Sequence, residues 1–323
     1  MTAIAFRFTL FLAALAGLLQ PAAAADSDEV VQLLLFQAVE ARIAGIGYRL
    51  ATAAGDLCPK PVPLSGIQVQ DASLYPPSED ASLAAAFGGG PWPKVFAVVP
   101  GSPAAAAGLK ANDSIVAIDG RPVPPATRRP DYGRVLAALG MLDAALAGGR
   151  AELAVERDGK RLDVAFDAAR GCASRFQLKA SGAKQALADG RYVEVTSGLA
   201  AFATDDDELA AAIAHEMAHN ILGHRAALDA AGVQRGILQN FGRNARLTRA
   251  TELEADRFSV YLLDRAGYPM EGAVRLWQRM GKETFDFGDF THPGAAKRIA
   301  AIEGEIARIR AAKARGEVAR FEP

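Results

Sequence analysis

A five-residue stretch, His215-Glu216-Met217-Ala218-His219, constrains this chain more than any other. It lies in an apolar, alanine-rich run from Leu209 to Leu222, whose residues are good helix formers. Positions four apart on a helix stack one turn above each other, so both imidazoles face the same way. Two histidines at that spacing, with a glutamate directly after the first, make the H-E-x-x-H pattern of a zinc site. One helix supplies two ligands, so a third must come from elsewhere in the fold, leaving a coordination position for water. The bland alternative is two ordinary helical histidines that bracket a glutamate, and the rest of the chain decides between them.

The 323 residues leave room for two domains of ordinary size. Lysine and arginine total 36 against 37 aspartates and glutamates, so no nucleic-acid partner is expected from charge. All four histidines, His215, His219, His224 and His292, fall in the last third, which fits one site in one domain. At the other end, Arg7 precedes an apolar run from Phe8 to Leu19, then Gln20-Pro21 and the small residues Ala22 to Ala25. That order reads residues 1–25 as a signal peptide cut near Ala24 or Ala25. The mature chain is then exported, with the bacterial periplasm as its compartment. No transmembrane anchor remains after cleavage, because no later stretch reads as long and apolar enough. Cys58 and Cys172 are the only cysteines. An even count in an exported chain argues for one disulfide; the alternative is two buried thiols.

Residues 26–90 begin with helical spacing of Val31, Leu34, Leu35, Val39, Ile43, Ile46 and Leu50, an amphipathic helix over 28–54. Residues 57–64 are proline-rich and extended, and 83–93, with Gly88-Gly89-Gly90, reads as a linker. In residues 91–170, strands are expected at 95–99, 114–118, 151–157 and 161–166, with a helix over 131–147. Asp119-Gly120 and Asp158-Gly159 are tight-turn signals between strands. The central stretch VVPGSPAAAAGLKANDSIVAIDGRPV resembles a bacterial PDZ domain. The resemblance implies a C-terminal peptide ligand added as a strand at a sheet edge, with its carboxylate loop near Phe87 to Gly90. A purely structural insert is the other reading.

Residues 171–323 hold the histidines. Arg191 to Thr196 alternates as a strand, and Thr204 with Asp207 reads as the cap of the HEMAH helix. A second helix begins at Thr248 and stops at Gly267 and Pro269. Glu252 and Asp256, four apart, share a face of it, while Glu254 lies about 200° round and faces away. One carboxylate for zinc and another one turn on to hydrogen-bond a ligand histidine make a sensible pair. A solvated acidic helix face is the alternative. His224, five after His219, falls about 140° from the ligand face on a continued helix and reads as structural.

HEMAHNILGH, then ELEADRFSVYLL, then THPGAAKRI at 291–299 resemble the HtpX-like and CAAX prenyl endopeptidase family of gluzincin metallopeptidases, over roughly 172–306. The resemblance implies an α+β chain, with a PDZ-like β-rich domain before a mainly helical metallopeptidase domain that carries a small edge sheet. It implies one Zn2+ per chain on His215, His219 and Glu252, with Glu216 as the catalytic carboxylate and Asp256 beside the ligands. His292 matches the family's HP motif, and three roles stay open for it: transition-state donor, reversible fourth ligand, or helix-start residue. Substrate is expected on the edge of the strand carrying Val193 and Val195, with Arg298 nearby. The expected activity is endoproteolysis of exported or misfolded proteins. Two other readings remain: a PDZ-based envelope chaperone or adaptor with a latent or structural zinc site, and a zinc hydrolase of a non-peptide substrate.

Overall fold

The computed structural model describes residues 25–125, 130–233, 242–283 and 293–322. The expected signal segment, up to residue 24, and His292 lie outside the described residues. In chain order the helices are α1 (Ser27–Ala53), α2 (Asp80–Phe87), α3 (Pro103–Ala106), α4 (Gly133–Ala147), α5 (Ser197–Phe202), α6 (Asp206–Ile221), α7 (His224–Ala230), α8 (Gly242–Ala266), α9 (Glu271–Glu283) and α10 (Ala295–Ala314). The strands are β1 (Val62–Leu64), β2 (Ile67–Gln70), β3 (Lys94–Val98), β4 (Ser114–Ile118), β5 (Arg121–Pro122), β6 (Arg150–Arg157), β7 (Lys160–Asp167), β8 (Ala169–Gly171), β9 (Arg175–Lys179), β10 (Ala186–Ala188) and β11 (Tyr192–Thr196). The chain is α+β.

An antiparallel sheet in the order β2-β3-β4-β6-β7, with β5 on β4, forms the first unit. Both expected tight turns join its strands. Asp119 and Gly120 have φ of 48° and 70°, and Asp158 and Gly159 have 52° and 71°. Two successive positive φ values give the turn twist that matches paired strands. Ile115, Leu153 and Val155 of the strands and Leu142 of α4 form its core. The sheet starts at Ile67, earlier than the expected boundary at 91. The stretch read as a linker contains α2, where the alanine-rich DASLAAAF carries helix propensity up to the glycine triplet. Gly88–Gly90 adjoin β3, the second strand of the sheet; its outer strands are β2 and β7.

Around α6 lies the second unit, buried from Glu208 to His215 and packed against α1, α8 and α9. Its cap is Asp205, one residue beyond Thr204: the Asp205 side chain accepts from Glu208 N at 2.9 Å. Glu208 in turn accepts from Thr204 N at 3.1 Å, so two otherwise orphaned donors are satisfied reciprocally. A second sheet has the order β10-β11-β9, with β10 antiparallel and β9 parallel to β11. The strand expected to offer an edge is therefore central, and Val193 and Val195 are 0% exposed in the core. Alternation in YVEVT suits a half-buried strand at either position. The short flanking strands, with weak patterns of their own, make it central. The outer strands are β10 and β9.

Helix α1 belongs to this second unit. It is long and apolar enough to cross a bilayer, at a hydropathy of 1.4, which corrects the expectation that no later stretch qualifies. Its second half is core: Ile43 and Leu50 are fully buried with Ile46 beside them. At Gly47 the ring of Phe176 from β9 lies so close that an added Cβ would meet it at 2.3 Å. Cys58, just past α1, is disulfide-bonded to Cys172, as their parity suggested, with Cα atoms 5.3 Å apart. The two units are also fastened by side chains. Asp143 of α4 pairs with Arg175 and Arg191, and Gln68 Nε2 of β2 donates to Phe176 O at 2.9 Å.

Glu40 of α1 is buried among these contacts and accepts a hydrogen bond from Leu178 N. Burial pushes its carboxyl from the ordinary 4.5 up to about 7, against the opposing backbone hydrogen bond. A carboxyl raised on folding holds its proton longer in the native state, so stability falls as pH rises from about 4.5 to about 7. Glu40→Gln keeps the shape and an acceptor without the charge. We expect it to stabilise the chain by about 2–3 kcal/mol at pH 8 and by less than about 1 at pH 5. Urea unfolding at both pH values checks this; an equal effect at the two would remove charge burial as the cause.

Candidate metal centre

Helix α6 aims His215 and His219 at the same point, as their four-residue spacing requires, and α8 crosses it to bring Glu252 to both. His215 Nε2 and His219 Nε2 are 3.2 Å apart. Glu252 places Oε2 at 3.4 Å from the first and Oε1 at 3.5 Å from the second. Four ligands about 2.0–2.1 Å from a tetrahedral zinc lie about 3.3 Å from one another. The two imidazole nitrogens and the two oxygens of Glu252 thus lie at about the spacing of zinc ligands, one atom from each residue falling within 4.8 Å of the others, and two imidazoles with a carboxylate are a zinc donor set. The residues present fit the ion.

Asp256, one turn after Glu252, lies behind the face, its Oδ1 3.0 Å from His215 Nδ1. That contact leaves His215 Nε2 for the ligand face. Arg298 of α10 holds Asp256 from the other side, with Nε to Oδ2 and Nη2 to Oδ1 both at 2.7 Å. It also reaches Glu252 at 3.6 Å and lies over the Trp277 ring of α9, 3.4 Å from its centroid. Arg298 was expected to meet substrate. It lines the same cavity, is 2% exposed, and is engaged by Asp256 and by the ligand Glu252.

Charge is distributed unevenly over the ligands. Burial and the Arg298 charge pull His215 down, but Asp256 and Glu252 outweigh them and push it up to about 9. Burial and the His215 charge lower His219 to about 3. For Glu252, burial favours the neutral acid, yet His215, His219 and Arg298 hold it well below the usual carboxylate range. The same opposition, with Arg298 foremost among the lowering groups, keeps Asp256 ionised.

The centre opens into a cavity of about 700 Å³ that also receives Glu216, strand β10, and Pro293 and Gly294. His292 lies outside the described residues, although the two residues after it line the cavity. Sequence reasoning missed His224. Gly223, at φ 66°, ends α6 in the left-handed conformation, so the chain turns back instead of continuing the helix. His224 Nδ1 thereby sits 2.9 Å from His219 Nδ1, where a continued helix would have carried it away. The glycine directly before His224 was the available signal. Trp277, which supports Arg298 from α9, had none.

Residues 174–243 and 236–306 match Peptidase family M48, the segment that holds every element of this centre. The C-terminal part of the chain belongs to peptidase family M48. Residues 95–140, from β3 into α4, match the PDZ domain. A curated relative is the mitochondrial metalloendopeptidase OMA1 of Schizosaccharomyces pombe, 31% identical over 137 residues. The match covers 35% of this chain and 41% of that relative, so the chain spans less than half of the relative's length. Family and site together make the M48 part a metallopeptidase domain, joined to a PDZ domain.

Proposed function

We propose that the chain is a zinc-dependent endopeptidase that cleaves exported or misfolded proteins, working in the bacterial periplasm. One observation carries the proposal. His215, His219 and Glu252 converge at about the spacing of zinc ligands, with Glu216 lining the same cavity. When bound, zinc supplies Lewis-acid polarisation of the scissile carbonyl and of the attacking water. Glu216 takes the proton from that water and returns it to the leaving amine. His215 and His219 hold their positions through Asp256 and His224. The outer strand β10 offers backbone groups on which an extended substrate can pair, and Leu187 on it is 53% exposed. The name of the metalloendopeptidase relative supports the endopeptidase reading. The apolar run from Phe8 to Leu19 and the Cys58–Cys172 disulfide support export. The PDZ domain is suited to select substrates by a C-terminal peptide.

Metal removal tests the proposal. A strong chelator should abolish casein hydrolysis by the full chain, and one equivalent of zinc should restore it. A zinc-loaded chain that leaves casein and other unfolded proteins intact would favour the adaptor reading.

A further inference from the structure

We infer that His224 and Glu254 form a relay that fixes the tautomer of the ligand His219 and thereby sets the chain's affinity for zinc. The inference deepens the zinc reading and rests on it. His219 turns Nε2 toward His215 and Glu252 and Nδ1 toward His224. A ligand nitrogen must present a lone pair, so the ring proton of His219 belongs on Nδ1. Two ring nitrogens 2.9 Å apart bond only if one donates and the other accepts, so His224 Nδ1 must carry the lone pair.

The proton of a neutral His224 then belongs on Nε2. That atom is buried and has no well-directed hydrogen bond, but Glu254 Oε2 lies 3.3 Å from it. A carboxylate oxygen accepts, so Glu254 Oε2 selects the tautomer in which Nε2 is protonated. Each step in the row Glu254–His224–His219 allows one proton placement, and the last of them frees the ligand nitrogen. Glu254 faces away from the ligand face of α8, and that orientation is what brings it to His224 once Gly223 has turned the chain back. His215 receives the same service from Asp256, so each ligand histidine has its own orienting partner. His224 is 4% exposed, which keeps water from replacing it as acceptor.

The experiment measures zinc affinity of the full chain by competition with a chromophoric chelator. The proteins are wild type, His224→Leu, His224→Asn, Glu254→Gln and the Asn/Gln double variant, each checked for fold by circular dichroism. Leucine removes the acceptor, and the zinc Kd should rise by about 10–100-fold. Asparagine keeps an acceptor near the Nδ1 position, and affinity should stay within a few-fold of wild type, which a packing role would not produce. Glu254→Gln should weaken zinc by about tenfold in the wild-type background. It should do almost nothing in the His224→Asn background, because no tautomer is left to select. An equal effect of Glu254→Gln in both backgrounds would mean that its charge acts through space, and the relay would be wrong. A folded His224→Leu chain that binds zinc as tightly as wild type would also overturn it. If wild type itself binds no zinc, the metallopeptidase proposal falls first and takes the relay with it.

Discussion

Replacing Glu216 with glutamine should abolish peptide hydrolysis and leave zinc binding within a few-fold of wild type. The two effects separate because Glu216 lines the cavity without contributing to the clustered ligand atoms, which come from His215, His219 and Glu252. Its place on α6, directly after the first ligand, turns its side chain out of the ligand face and toward the substrate side. An amide of the same shape can hydrogen-bond a water but cannot take its proton or pass one to the leaving nitrogen. General acid–base catalysis contributes about 10²–10⁴-fold, and in the proposed mechanism one group performs both transfers. We expect kcat to fall by at least about 10³-fold with KM little changed, the pattern of an interaction made only in the transition state. Casein digestion at matched zinc content makes the comparison. A zinc-loaded Glu216→Gln chain that keeps more than about a tenth of wild-type activity would remove Glu216 from the proton transfers.

The parts of this centre that were legible in the sequence share one property: they lie within a single regular helix. His215, Glu216 and His219 follow from the period of α6; the period of α8 gives Glu252 and Asp256 a shared face, and the resemblance to the gluzincin family is what made that face part of the centre. Prediction failed where the helix stopped or where position in a sheet mattered. The angle assigned to His224 assumed a helix that Gly223 ends. Val193 and Val195 alternate as a strand should, yet alternation says nothing about whether a neighbour pairs on one side or both. Arg298 was read with its own segment, which could not show that Asp256, Glu252 and Trp277 on two other helices surround it. The glycine triplet at 88–90 drew attention from the helix-forming residues just before it.

Arg298→Met should cost the chain about 3–5 kcal/mol and weaken zinc binding as well, because Arg298 supports the centre from behind. Arg298 and Asp256 are 2% and 1% exposed and meet through two contacts of 2.7 Å. Methionine keeps much of the volume but leaves the Asp256 carboxylate buried, with His215 Nδ1 at 3.0 Å as its remaining ion-pair partner. Breaking a buried pair from one side carries that penalty because the surviving charge has no solvent to return to. The melting temperature should fall by roughly 10 °C. The effect on zinc follows from positioning. Without the guanidinium, Asp256 is no longer held against His215, and the ligand loses the contact that orients it. Zinc affinity at pH 7 should drop by about tenfold or more. Arg298→Lys, with a point charge in place of the planar fork, should fall between the two. A substrate contact would behave differently, raising KM while melting temperature and zinc affinity stayed at wild-type values. That second pattern would return Arg298 to the substrate side of the cavity and leave Asp256 to hold His215 alone.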